Sequence, residues 1–147
     1  MARVPTDIHA VVFYSIEKAI KTYRQFAQRR LVQAGSAITI DQWLVLNILV
    51  HQPGIKQGEI ADEVFKDKAS VARIIDLLVN AGHVKRTTPE HDRRSVHLEL
   101  TRSGKAQVAK LAPIVKAYRL QALQGVTAKE IKKMSATLRK LMDNCDE

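Results

Sequence analysis

Residues 67–82 read DKASVARIIDLLVNAG, and residues 83–101 read HVKRTTPEHDRRSVHLELT. In the first stretch Val71, Ile74, Ile75, Leu78 and Val79 recur at i, i+3, i+4, i+7 and i+8, which is one face of an α-helix. Asp67 is a residue type that caps helix N-termini, and Ala81-Gly82 suits a helix end. In the second stretch the period changes. β-branched and basic residues run from His83 to Thr88, and Pro89-Glu90-His91-Asp92 reads as a turn. From Ser95 to Thr101 the chain alternates: Val96, Leu98 and Leu100 one way, Ser95, His97 and Glu99 the other, with His97 expected to face solvent. The expectation is a helix followed by a β-hairpin with a polar tip.

Upstream, Gln57 to Val64 places Ile60, Ala61 and Val64 on one side of a short helix, and Phe65-Lys66 turns into the longer one. Residues 54–101 therefore read as a helix-turn-helix followed by a hairpin, which resembles a winged helix. Such a unit offers one helix to the DNA major groove, about 12 Å wide. The exposed face of that helix carries Lys66, Lys68, Ser70 and Arg73 near its start, with Asp76 and Asn80 later. The acids Glu59, Asp62 and Glu63 lie off it. The tip His91-Asp92-Arg93-Arg94 suits a phosphate or a narrow, electronegative minor groove. Asp92 fits there if it holds a neighbouring arginine through a forked pair of bonds. The plainer alternative is a solvated charged turn.

The flanks are helical. From Ile8 to Ala34 apolar residues fall in steps of three, four and once five, after Pro5-Thr6-Asp7 and before Gly35. One continuous helix there would span about 40 Å, long for a small globule and suited to reaching another subunit. Thr39 and Gln42 have capping-box spacing, stapled by Ile38 and Trp43, and that helix ends near His51 before Pro53-Gly54. After the hairpin, a helix from Thr101 carries Val108, Leu111, Val115 and Tyr118 on one face and contains Pro113, expected to bend it. Thr127 and Glu130 open a last helix through a second capping box, with Ile131, Met134, Leu138, Leu141 and Met142 along one face.

The chain has 147 residues, which suits a single domain. Its 46% apolar and 27% charged residues exclude wholesale disorder. Twenty-four Lys and Arg against fifteen Asp and Glu give a net charge of +9, an excess that attracts polyanions. That excess is spread out: residues 56–105 net +2, while residues 1–35 and 106–147 each net +4. The single cysteine, Cys145, cannot form an internal disulfide, and Asp143, Asp146 and Glu147 are the wrong sign to activate it. The longest apolar run, Trp43 to Val50, is too short to span a membrane, and no secretory leader is read at the N-terminus. A cytoplasmic protein is expected. Five histidines lack ligand spacing, and no nucleotide loop, nucleophile elbow or carboxylate pair is present, so neither cofactor, metal nor enzyme activity is expected.

The run Asp67–Gly82, then His-Val-Lys-Arg86, then Asp92-Arg-Arg94, then Leu98-Glu-Leu-Thr101-Arg-Ser-Gly104, resembles the multiple-antibiotic-resistance regulator (MarR) family. The order and lengths of the other elements agree along nearly the whole chain. The resemblance implies a mainly α fold with a small β-hairpin wing. It implies a winged helix-turn-helix lobe over 36–101, and a helical dimerisation region from 6–35 and 102–147. It also implies a homodimer on a near-palindromic DNA site, with recognition helices in successive major grooves about 34–36 Å apart. By similarity Lys66, Lys68, Ser70, Val71 and Arg73 enter the major groove. Lys56 and Gln57 touch the backbone, Arg86 counts among the DNA-facing residues, and Arg93 reaches the minor groove while Asp92 pairs with Arg94. Which wing arginine takes which part stays open.

Family members commonly bind a small ligand, often a phenolic or aromatic anion, between the dimer region and the DNA-binding lobe. The resemblance therefore implies a repressor released by such a molecule, with His9, Phe13, Trp43, Leu46 and Arg73 as pocket candidates. Against this, Trp43 at a stapled helix start also reads as core, and His9 as a surface or dimer-contact residue. The other class of function is a winged-helix scaffold for protein contacts or ligand capture, without operator binding.

Overall fold

The computed structural model describes residues 6–146. They form six α-helices and one antiparallel hairpin: α1 (Val12–Gln33), α2 (Ile40–His51), α3 (Gln57–Val64), α4 (Lys68–Asn80), β1 (Val84–Thr87), β2 (His97–Leu100), α5 (Arg102–Ala122) and α6 (Ala128–Cys145). This is the mainly helical, winged helix-turn-helix class expected from the period changes.

The first helix is shorter than its apolar stripe. Ile8–Ala10 is a separate 3-10 turn, Val11 is extended, and α1 begins at Val12. Asp7 caps the short turn: its carboxylate accepts the His9 N–H at 3.0 Å. No side chain caps α1 at Val11. The turn takes the available cap, and the β-branched valine tolerates extended backbone. The continuous helix from Ile8 is thus corrected to two pieces, the longer about 33 Å. Pro5, read as part of the helix start, lies outside the described residues.

Elsewhere the caps form as the spacing requires. In both capping boxes, Thr39 with Gln42 and Thr127 with Glu130, the two reciprocal bonds are made. Pro113 lies inside α5, which continues on both sides of it.

The hairpin pairs Val84 with Leu100 and Thr87 with His97. A third segment lies along its other edge. Gly54 N–H donates to Leu98 O at 3.1 Å, Leu98 N–H to Ile55 O at 3.0 Å, and Gln57 N–H to Val96 O at 2.9 Å. This edge pairing ties the start of α3 to the wing. His97 does not face open solvent as the alternation suggested: it is half-buried, and its Nδ1 lies 2.6 Å from Gly54 O. The third segment covers the face the alternation left open.

One core joins α1 to α5. Leu31, Val45, Leu46, Leu49, Ile60, Ile75, Leu78, Leu98 and Leu111 are all fully buried or nearly so. Each such side chain contributes about 1.5–3 kcal/mol of transfer free energy. Where β2 enters α5, Thr101 donates its hydroxyl to Gly82 O at 2.5 Å and accepts the Gly104 N–H at 3.1 Å. A Cβ on Gly104 would collide with the carbonyl of His83. The glycine lets the first turn of α5 pack directly on the end of α4. In contrast, α6 contributes no buried residue. Its Ile131, Leu138 and Leu141 are half-buried, while Met134 and Met142 are exposed. No described helix is long and apolar enough to cross a membrane.

Candidate nucleic-acid interface

α4 starts in a well-defined cap. Asp67 accepts from the Ser70 N–H at 2.8 Å and from its hydroxyl at 2.7 Å. These two bonds, the hydroxyl first, hold the Asp67 carboxyl below its ordinary pKa. The sequence assigned Ser70 to the groove; its hydroxyl proton is instead committed to the cap. Lys68 and Arg73 project from the same helix, both exposed and in no ion pair with the described residues. Val71 does not share their side: it is 1% exposed and belongs to the core. Its place in the apolar i, i+4, i+7 series with Ile75 and Leu78 prevails over its place next to Ser70.

Two further cations expected at the groove are held elsewhere. Lys66 Nζ lies 3.4 Å from Asp41, and the same carboxylate also receives Arg24 from α1. Lys66 is therefore turned back toward α2. Arg86 donates to Asp76 on α4 and, at 3.1 Å, to Gln57 at the start of α3. It ties the wing base to two helices rather than standing free. Both corrections arise from carboxylates distant in sequence, which spacing alone does not reveal.

At the wing tip Asp92 is also reassigned. Its carboxylate accepts the Ser95 hydroxyl at 2.5 Å and the Arg94 backbone N–H at 3.1 Å, not a guanidinium. The Ser95 bond is the larger cause, and together they hold the Asp92 carboxyl below its usual range. Asp92 folds the turn, leaving Arg93 and Arg94 exposed beyond it.

A cleft of about 590 Å³ separates α4 from the wing. Lys56, Gln57, Lys68 and Arg94 line it, with Val71 in its wall and Glu59 as the single lining carboxylate. Three cations from three elements thus converge on one concavity. Arg73 and Arg93 lie outside its lining.

One exposed residue had no sequence signal. Phe65, at the turn between α3 and α4, is 93% exposed and left-handed, with φ of 57°. Glycine is the usual residue for that conformation, so its absence hides the requirement.

The five pocket candidates are scattered. His9 and Phe13 are exposed, His9 against Asp7 and Tyr14. Trp43 is 4% exposed and Leu46 fully buried, both in the core. The Trp43 indole N–H has no hydrogen-bond partner among the described residues. Arg73 lies on the exposed side of α4. None of the five lines a second cleft of about 300 Å³ between α1 and α5, which Arg30, Pro113, Tyr118 and Gln121 help to form.

Comparison with known proteins gives this geometry a context. Residues 38–95, from the start of α2 to the wing, match the MarR family. The fold is shared with BpsR of Bordetella bronchiseptica, whose DNA binding is regulated by 6-hydroxynicotinic acid. The two are 23% identical with a TM-score of 0.83, over 95% of this chain and 98% of that one. It is shared with a mutant MarR from E. coli complexed with operator DNA, 24% identical with a TM-score of 0.77, over 86% and 89% of the two chains. PcaV of Streptomyces coelicolor, in complex with its natural ligand, is 22% identical with a TM-score of 0.79, over 99% and 100%. The family match thus spans the helix-turn-helix and wing, and the architecture of these solved structures extends over nearly the full length of the chain.

Proposed function

We propose that this protein is a sequence-specific regulator that grips double-stranded DNA as a homodimer, most simply as a repressor. The observation that carries this reading is the cleft between α4 and the wing, where Lys56, Lys68 and Arg94 converge beside Gln57. The start of α4 would enter the major groove with Lys68 and Arg73. Arg93 and Arg94 would follow the adjacent backbone or minor groove. Residues 6–35 and 102–147 would pair the two protomers. The unburied apolar face of α6 supports that assignment, since exposed Met134 and Met142 beside Ile131 and Leu138 otherwise remain wet.

A small aromatic effector would release the DNA. Support comes from the regulation of BpsR by 6-hydroxynicotinic acid and from the ligand complex of PcaV.

The test is selection of duplexes from genomic DNA by the purified protein, followed by sedimentation of free and bound forms. A near-palindromic site bound by two chains supports the reading. A lone protomer in solution, or duplex binding absent or insensitive to salt, would replace it with a scaffold that captures proteins or ligands without an operator.

A further inference from the structure

The positive charge of this chain lies mainly outside its helix-turn-helix and wing. Residues 36–101 carry eight Lys and Arg against nine Asp and Glu, a net of −1. The remaining residues carry sixteen against six, a net of +10. Within residues 36–101, Lys66, Lys85 and Arg86 are already held by carboxylates.

In α6 four lysines gather on one side, with Arg139 at its margin and one carboxylate, Asp143, near its C-terminal end. At about 100° per residue, Lys129, Lys133 and Lys140 fall within about 40° of one another, with Lys132 beside them. Ile131, Leu138 and Leu141 occupy the opposite side. The four lysines are exposed, and none is in an ion pair with the described residues. Lysines at i, i+3 and i, i+4 repel along a helix, a standing cost that a polyanion would relieve.

We propose that this basic face of α6 is a second, sequence-independent binding surface for duplex DNA. The row from Lys129 to Lys140 is about 16 Å long. A duplex presents one charge per about 1.7 Å of axis, so such a row meets phosphates in any register. An anionic membrane fits less well. A helix lying on lipid needs a free apolar face with bulky anchors; α6 has no aromatic residue, and its apolar face is the one assigned above to pairing the protomers. The surface shares no residue with α4 or the wing, so one molecule can hold a specific site and a second DNA segment together.

Two full-length variants test this. In Lys68→Gln/Arg93→Gln/Arg94→Gln, binding to a short random-sequence duplex should persist and fall about 100-fold between about 50 and 200 mM salt, as four phosphate contacts require. In Lys129→Gln/Lys132→Gln/Lys133→Gln/Lys140→Gln, helix content by circular dichroism and binding to the selected operator should be retained. That variant should fail to capture a labelled random duplex on operator-coated beads, where the unsubstituted protein succeeds. Loss of random-duplex binding in the first variant, or retained capture in the second, overturns the proposal. Lysine-dependent capture of phosphatidylglycerol vesicles without duplex capture also overturns it and assigns the face to lipid. If the unsubstituted protein has no operator but still binds duplex through these lysines, this surface stands and the operator reading falls.

Discussion

The guanidinium of Arg86 on β1 donates to the carboxylate of Asp76 in the second half of α4. Through Gln57 the same side chain also holds the start of α3. One cation therefore fixes the angle between the wing and the helix beside it.

Because Arg86 is already compensated by Asp76, its loss should act through geometry. Arg86→Gln is expected to weaken duplex binding while leaving its salt slope unchanged. A double-mutant cycle with Asp76→Asn, followed by urea unfolding, should give a coupling of about 0.2–1 kcal/mol, since both side chains are partly exposed. A slope lowered by about 0.9 would instead mean that Arg86 touches a phosphate.

Lys68, Arg93 and Arg94 should behave oppositely. Replacing each with Gln is expected to cost about 1–3 kcal/mol in duplex affinity. Each should lower the salt slope by about 0.9 with no change in unfolding midpoint. Fluorescence anisotropy titrations across salt concentrations read both quantities. Unchanged affinity for all three would remove the cleft and wing tip from the interface.

Gly104→Ala should destabilise the fold by about 1–3 kcal/mol, because the added methyl meets the His83 carbonyl and the backbone must move. Urea unfolding measures it. A variant as stable as the parent would show that α5 can slide away from the end of α4 without loss.

Phe65→Gly should do the reverse. The left-handed backbone disfavours Phe, and a ring 93% exposed gives little burial in return. Allowing for glycine's greater entropy when unfolded, a gain of about 0.5–1 kcal/mol is expected in the same assay. A net loss would mean that the ring finds a partner the fold depends on.

Two carboxyls at the α4 cap and the wing carry a pH signature. Asp67 and Asp92 titrate below their ordinary value of 3.8 in the folded protein. Their contribution is complete above that value and is lost as pH falls through the lower folded value. The cap of α4 and the wing turn should therefore persist at pH 5 and be shed only in stronger acid. Carbon-13 titration of the two side chains checks this, and a midpoint at or above 3.8 for either would contradict its hydrogen bonds.

The legible parts of the fold were those written locally. Thr39 with Gln42 and Thr127 with Glu130 state their caps within four residues, and Val71 to Val79 state a helix by period. Most of what was missed depends on groups far apart, the break at Val11 being a local exception. Val11 breaks the first helix because Asp7 caps the turn before it. His97 is covered because residues 54–57 return along the wing edge. Lys66 and Arg86 read as free cations until Asp41 and Asp76 are brought beside them. Val71 was assigned both to the apolar stripe and to the DNA-facing set, and its burial decides for the stripe.

Asp41 receives Arg24 from α1 and Lys66 from just ahead of α4 at the same time. The tip of α4 is thereby strutted to the longest helix in the chain. When α1 tilts, that tip must swing with it or the strut must snap. In the proposed dimer the span between two such tips would follow the pitch of whole braced blocks, so even a small rocking at the scaffold would carry the tips out of step with a duplex.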